Sequence, residues 1–354
     1  MGNPNTLFIM KKFILALVAS FTFTFAAKAQ DGFENLLLAS QGDSEKLLQA
    51  YFSPLFEGFT SGMNNGWYHT AKVHKLFGFD VSIAANATFI PSEKEMFNIN
   101  SLGLTSVTST GGVNLPTVVG DNTETPLVIS TTFQGQDVTA NATAPGGILG
   151  DLPLGAIPSP AVQLSLGMPW KSEVMLRFFP ETKISDDGGK VKMMGFGLKK
   201  EITKWFGPME KTSLHISILA AYTTVDIDYA IEDSSFGNIL TNNAAAAFEL
   251  RAYTIQAVAS LNFPVINLFG GVGYGSGNSQ LNTSGTITGV YETGLAAPNS
   301  TYTRAIDPIS IDFDTSGFTT TVGARLSLGF FKLFGSYTLQ EYGILNAGLA
   351  FSFR

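Results

Sequence analysis

The feature that most constrains the fold is a strict two-residue alternation of side-chain types. From Phe77 to Phe89, odd positions are apolar, whereas even positions hold Gly, Asp, Ser, Ala, Asn and Thr. A period of two indicates β-strands with one apolar face. The same alternation recurs over residues 162–168, 174–178, 214–218, 253–261, 322–328 and 346–353.

The second face of these strands distinguishes a membrane barrel from a soluble sandwich. A solvated sheet face carries many Lys and Glu. Here that face carries mainly Gly, Ser, Thr, Asn and Gln, and only 14% of all residues are charged, against about 25% in soluble domains. Barrel lumens accept such residues, and membrane strands need about ten residues each. We therefore expect an all-β fold, a transmembrane antiparallel β-barrel.

The length of the chain sets the expected strand number. At roughly 20 residues per strand with its connection, residues 66–354 would form about 12–14 strands. Three segments break the alternation and are predicted to be long loops, near residues 96–160, 232–249 and 276–308. The first contains no Lys or Arg between Glu95 and Trp170.

The N-terminus predicts export. Lys11 and Lys12 precede the apolar run 13–27, and Ala27-Lys28-Ala29 is a small-x-small cleavage pattern. Residues 1–29 are therefore a predicted signal peptide, and the run is too short for a membrane anchor. We expect the bacterial outer membrane as the location, with its lipids and the barrel-insertion machinery as partners. The alternating C-terminal strand with Phe353 resembles the signal which that machinery reads, although Arg354 follows it.

Residues 30–65 are expected to form a helical plug segment. Apolar residues recur at helical spacing on one face, with Asp43 or Ser44 as caps and with Pro54 and Gly58 limiting the helix. These apolar residues are Leu47, Leu48, Tyr51, Phe52 and Leu55. The helix either packs against the rest of the fold or plugs the barrel lumen.

The supply of reactive side chains is poor. The chain has no Cys and only three His, at positions 69, 74 and 215, so most nucleophilic and zinc chemistry lacks its parts. We predict no enzyme activity, no catalytic or metal-binding residue and no cofactor. The net charge of −7 also argues against a nucleic-acid partner.

Four charged residues fall on the polar strand faces: Asp80, Glu173, Arg177 and Arg325. We predict that they line the lumen. Ion pairs among Glu173, Arg177 and Arg325 would brace the barrel and would have a structural role.

Other motifs have two interpretations each. The run Gly270–Gly275 lacks dinucleotide-loop spacing, and small residues beside a plug or at the barrel mouth explain it better. Alternating acids could line a cation path or bind Ca²⁺, although solvated positions are favoured. They are Asp226, Asp228, Asp312 and Asp314, with Asp307 nearby. An aromatic girdle would account for Trp67, Tyr68, Trp170 and Trp205.

One strand changes phase. Apolar residues are even-numbered from Leu214 to Tyr222 but odd-numbered at Val225, Ile227 and Tyr229. A β-bulge near residues 223–224 would reconcile them. Alternatively, the later residues extend above the membrane.

Some motifs resemble those of uncharacterised outer-membrane proteins of Gram-negative bacteria. The motifs are Pro54-Leu55-Phe56, the run 66–72, the run 76–80, and residues 162–167 followed by 173–178. This resemblance implies a barrel and its location, with no assigned activity. More distantly, the layout is similar to FadL-type transporters, which implies an N-terminal plug, about 14 strands and passage of hydrophobic molecules.

These observations favour a monomeric, plugged outer-membrane barrel that is a channel or transporter for small hydrophobic molecules. The path would be the lumen or a lateral opening, with the N-terminal segment as gate. The alternative is a non-transporting barrel for surface display, adhesion or assembly.

A plug predicts a conductance change. Deleting residues 31–60 should open the pore and raise single-channel conductance in planar bilayers. Unchanged conductance would contradict the plug.

Overall fold

The computed structural model describes residues 33–133, 135–183, 189–231, 233, 235–236, 238–295 and 300–353. The predicted signal peptide, residues 1–29, lies outside these ranges.

The chain begins with a 3₁₀ turn and one long helix, and strands follow to its end. The turn is Phe33–Leu38 and the helix, α1, is Gln41–Asn64. The strands are β1 (Phe79–Phe89), β2 (Met96–Asn98), β3 (Val107–Ser109), β4 (Asn114–Pro116), β5 (Thr125–Phe133), β6 (Gln136–Ala144), β7 (Ala156–Met168), β8 (Ser172–Lys183), β9 (Lys190–Glu201), β10 (Leu214–Ala230), β11 (Ser235–Phe236), β12 (Ile239–Asn262), β13 (Ile266–Glu292), β14 (Thr301–Ile306), β15 (Ser310–Leu328), β16 (Phe331–Leu339) and β17 (Ile344–Phe353). No helix of the described chain is long and apolar enough to cross a membrane.

Ten strands of the described chain close into an antiparallel ring. Its order is β1-β7-β8-β9-β10-β12-β13-β15-β16-β17, and β17 pairs back onto β1. The barrel is confirmed, but the count is below the expected 12–14 and below the 14 of FadL-type barrels. The reason is strand length, because β12 and β13 have 24 and 27 residues. Residues 239–249 and 276–292, expected in loops, belong to these two strands.

The N-terminal segment also differs from its expected bounds. Helix α1 runs through Pro54 and Gly58, which were expected to limit it, and Asp43 lies in its first turn instead of capping it. The first barrel strand starts at Phe79, later than the expected residue 66.

The barrel has two distinct ends. At one end the links are short, such as 169–171 between β7 and β8 and 263–265 between β12 and β13. At the other end lie the long connections, of which residues 90–155 are the longest. Long links on one side and short turns on the other are typical of outer-membrane barrels.

The wall changes its polarity along its height, and β12 shows this best. Near the short-turn end its outward residues are apolar, from Tyr253 to Leu261, whereas Gln256 points inward and is buried. Toward the loop end Glu249 is exposed and Phe248 is buried. The lower half is therefore built for lipid outside and polar contacts inside, and the upper half for water outside and an apolar interior.

This reversal explains the phase change on β10. Its pairing with β9 and β12 is continuous through Thr223 and Thr224, so the expected β-bulge is wrong. Val225 and Ile227 keep the inward phase of the strand, and Asp226 points outward above the apolar belt. The other expectation for residues 225–229, that they extend above the membrane, agrees with this arrangement.

Helix α1 lies inside the barrel, in contact with β1, β7, β10, β12, β13 and β15. Its first turns enter the apolar core at the loop end, where Leu47, Leu48 and Tyr51 are buried. Burial of each such side chain stabilises the fold by about 1.5–3 kcal/mol. Lower down, Gly62 faces Thr88 of β1 and Ser159 of β7 so closely that a Cβ would overlap them.

Two glycines of α1 provide a matched test of this close approach. Gly62→Ala should destabilise the folded barrel by about 1–3 kcal/mol, because the added methyl overpacks the wall. Gly42→Ala is the control, since a Cβ there meets nothing within 4 Å. Urea unfolding in detergent measures both variants. Equal unfolding free energies for the two would refute the close packing.

Candidate functional site: the plugged lumen

Arg177 of β8 holds the C-terminal end of α1. Its guanidinium donates to the carbonyls of Met63 at 3.0 Å and Asn65 at 2.8 Å, and Nε donates to Gln163 Oε1 at 3.1 Å. It also lies 3.8 Å from the centre of the Trp67 ring. A cation at this end satisfies unpaired carbonyls and opposes the negative end of the helix dipole.

Below α1 the chain descends through the lumen without regular structure, and wall side chains take up its backbone polar groups. Gln163 Nε2 donates to the Trp67 carbonyl at 3.1 Å, and Lys199 Nζ donates to the Thr70 carbonyl at 3.3 Å. Ser260 Oγ accepts from the Ala71 amide at 3.0 Å. Because an unpaired buried backbone group is costly, these contacts stabilise the plug in one position.

Glycines in the wall make room for the plug. Trp67 packs against Gly195 and Gly197 of β9, where a Cβ would approach its ring within 3.1 Å. On β13, a Cβ at Gly271 would meet Tyr68 and one at Gly275 would meet Asn64. The interpretation of the 270–275 run as small residues beside a plug is confirmed.

A buried charge network lies near the short-turn end. Lys199 Nζ is 2.7 Å from Glu173 Oε1, and His74 Nδ1 is 2.7 Å from Glu173 Oε2. The Nε2 atoms of His74 and His69 are each 3.2 Å from Asp80 Oδ2. The network therefore joins β1, β8 and β9 to the plug, which supplies both histidines.

Arg325 of β15 completes this network and orients His69. Its Nη1 lies 2.9 Å from His69 Nδ1. Because a guanidinium only donates, Nδ1 accepts, and the ring proton lies on Nε2, which faces Asp80. The described residues contain no group of three or more acidic, Cys or His side chains suited to a metal ion.

The structure places all four predicted lumen residues inside the barrel, with different pairings from those expected. Glu173 pairs with Lys199 and His74, whereas the described hydrogen bonds of Arg177 go to an amide and two carbonyls. Sequence reasoning missed Lys199, although it continues the polar face of Gly195 and Gly197. It also could not assign the two histidines, which lie outside any strand.

The aromatic residues predicted for a girdle and the alternating acids lie in different parts of the barrel. Trp67 and Tyr68 are buried in the lumen, so their expected place in a girdle is wrong. Trp170 and Trp205 are exposed at the short-turn end, as a girdle requires. The alternating acids point outward near the loop end and are exposed: Asp226, Asp228, Asp312 and Asp314.

The loop end is a folded cap. Residues of β3, β5, β6 and the 3₁₀ turn share one apolar core with α1. Asp43 joins the helix to this cap, because its Oδ2 accepts from the amides of Thr105 at 2.9 Å and Ser106 at 2.7 Å and from both hydroxyls. Burial would raise the pKa of the Asp43 carboxyl, but the bonds from Ser106 and Thr105 lower it below its usual value.

The wall is incomplete between β7 and β8. Their pairing runs from Met168–Ser172 up to Gln163–Arg177 and stops there. Above this point, among the described residues, β7 pairs only with β1 and β8 only with β9. We call the unpaired stretch between residues 156–162 and 178–183 the seam.

A family model matches almost the whole chain, over residues 10–353. The chain belongs to the family of unknown function DUF6588. No curated protein sequence matches it significantly.

Several solved barrels show a weak likeness to the chain. The attachment invasion locus protein Ail of Yersinia pestis is 9% identical over 79% of this chain and 99% of its own, with a TM-score of 0.25. The translocator domain of the autotransporter NalP from Neisseria meningitidis is 9% identical over 79% and 90%, with a TM-score of 0.30.

Breaking the charge network should destabilise the folded barrel. Lys199→Met removes one of the two basic partners of the buried Glu173 carboxylate, which keeps His74, and should lower the unfolding free energy by about 3–5 kcal/mol. Lys192→Met, on the exposed face of the same strand, should change it by less than about 0.5 kcal/mol. Denaturant titration of both variants in detergent checks this. A small effect of Lys199→Met would show that the network does not hold the plug.

Proposed function

We propose that this protein is a barrel of the bacterial outer membrane that admits small hydrophobic molecules sideways, through the seam. It would work as a monomer, inserted by the barrel-assembly machinery and surrounded by outer-membrane lipids. The observation that carries the proposal is the interrupted β7–β8 pairing beside an apolar interior.

The edge of β7 at the seam is adapted to remain unpaired. Pro158 and Pro160 lie in its upper half, and proline is confined to strand edges because it has no N–H to donate. Across the seam, Phe178 of β8 points outward and is 53% exposed. The entrance therefore adjoins the lipid-facing belt.

The interior behind the seam is apolar. Gly62 of α1 faces β7, and Phe56 stacks on Phe248 of β12 at 4.2 Å between ring centres. At about 100° per residue, Leu55 and Phe59 lie between these two faces and turn toward β8–β10. Both are only partly buried, which leaves apolar surface for a guest molecule.

The filled lumen favours a sideways route. Residues 65–74 are hydrogen-bonded to several strands, and α1 is anchored at both ends, by Asp43 and by Arg177. An axial path requires all these contacts to break, whereas the seam requires none of them to break.

The alternative is a non-transporting barrel that displays its cap. The folded core of the cap favours it, because residues 90–155 pack into a defined surface. A display function does not depend on the seam, so closing the seam distinguishes the two proposals.

Cysteine pairs across the seam provide the test, since the chain has no cysteine of its own. In the register of Gln163–Arg177, the next outward pair is Val162 with Phe178, which is not formed. Joining Val162→Cys to Phe178→Cys with a short bis-methanethiosulfonate, which attaches through a disulfide to each cysteine and releases methanesulfinate, should abolish uptake of a hydrophobic dye into proteoliposomes. Reduction of the two disulfides should restore it.

The control pair is Leu164→Cys with Leu176→Cys, which faces outward within the paired ladder. Its cross-linking should leave uptake unchanged. Equal uptake by the protein with a linked seam, or no uptake by the unmodified protein, would reject the lateral route and favour display.

A further inference from the structure

A pocket of about 220 Å³ lies at the loop end, between the first turn of α1 on one side and the end of β14 with residues 307–309 on the other. Its polar wall includes Ser44 and Arg304, and its apolar wall includes Leu37, Ile306 and Ile309. The pocket is separate from the seam and from the charge network at the short-turn end.

The N-terminus of a 24-residue helix opens into this pocket. Ser40, at the cap position, makes no capping hydrogen bond with its side chain. The first amides of a helix have no acceptor within it, and together they carry a partial positive charge. Oxygen atoms of an anion suit this position.

Ser44 is the observation that points to a missing ligand. Its side chain is only 1% exposed and lines the pocket, yet Oγ has no hydrogen-bond partner. A buried unpaired hydroxyl costs about 1–3 kcal/mol. A ligand oxygen in the pocket would remove this cost.

Arg304 supplies a fixed positive charge. Its Nη2 donates to the Ala39 carbonyl at 2.8 Å, and the guanidinium carbon lies 5.6 Å from the centre of the Tyr291 ring. Asp43, in the first turn of α1, is bound to Thr105 and Ser106 and does not line the pocket.

One acid faces the same pocket and limits the charge of the ligand. Asp307 lines it and is exposed. Arg304 and the helix end together supply about +1.5 charges, which exceeds the single negative charge of Asp307 by about +0.5. This small positive excess favours a ligand with one negative charge over a ligand with two. Leu37, Ile306 and Ile309 add an apolar part to the lining, which suits a ligand with a hydrocarbon part better than an inorganic anion.

We propose that this pocket binds a small organic monoanion, with its carboxylate at the α1 N-terminus, Ser44 and Arg304 and with its hydrocarbon part against Leu37, Ile306 and Ile309. The site does not depend on transport through the seam, and binding can be measured when transport is absent.

The test is calorimetric titration of the full-length mature protein in a neutral maltoside detergent. Benzoate is the probe, benzamide is its uncharged isostere, and inorganic phosphate is an anion without hydrocarbon. Benzoate should bind at least about tenfold more tightly than either, because hydrogen bonds to charged groups are worth about 1.5–3 kcal/mol.

Two variants separate binding from folding. Ser44→Ala should weaken benzoate binding about tenfold, while the unfolding free energy stays unchanged or rises, because the unpaired hydroxyl is removed. Asp307→Asn should tighten binding, since it removes the opposing charge.

Three results would overturn the proposal. They are the absence of benzoate binding at millimolar concentration, equal binding of benzamide or phosphate, and unchanged affinity in Ser44→Ala. None of them bears on the seam, which dye uptake tests separately.

Discussion

The rest of this structure depends on the pairing of plug backbone groups with polar side chains of the barrel wall. Residues 65–74 have no regular structure of their own, so their amides and carbonyls need partners inside the lumen. Gln163, Arg177, Lys199 and Ser260 provide these partners from four different strands. The requirement explains why the inner wall is polar there and why the plug occupies one defined position.

The same requirement accounts for the buried charges. Asp80 and Glu173 lie among Lys199, Arg325, His69 and His74, so each carboxylate has basic groups within 3.2 Å. Buried ion pairs seldom raise stability beyond that of an apolar core, but losing one partner is strongly destabilising. The network thus makes the plug and the barrel wall mutually dependent.

Above the apolar belt the barrel continues as a water-soluble structure. The long strands β12 and β13 carry the wall beyond the belt, where apolar side chains turn inward onto α1 and the cap. One strand can serve both halves because the phase of β12 is constant from Phe248 to Leu261 and only the residue types exchange. This arrangement leaves two features of different character, the unpaired seam beside the apolar belt and the pocket with Arg304 at the loop end.

The sequence by itself determined the barrel, the helical segment and the facing of the strands. Alternation is a local property of each strand. The sequence therefore shows which face Phe79 and Asp80 occupy without any information about the adjacent strands. Strand number and loop bounds could not be obtained in this way, because the composition of Ile239–Glu249 changes where the surroundings change from lipid to water. The site was decided only by tertiary structure. His69, Lys199 and Arg325 are far apart in the chain. Only closure of the ring around the plug brings Lys199 to Glu173, His69 to Asp80 and Arg325 to His69.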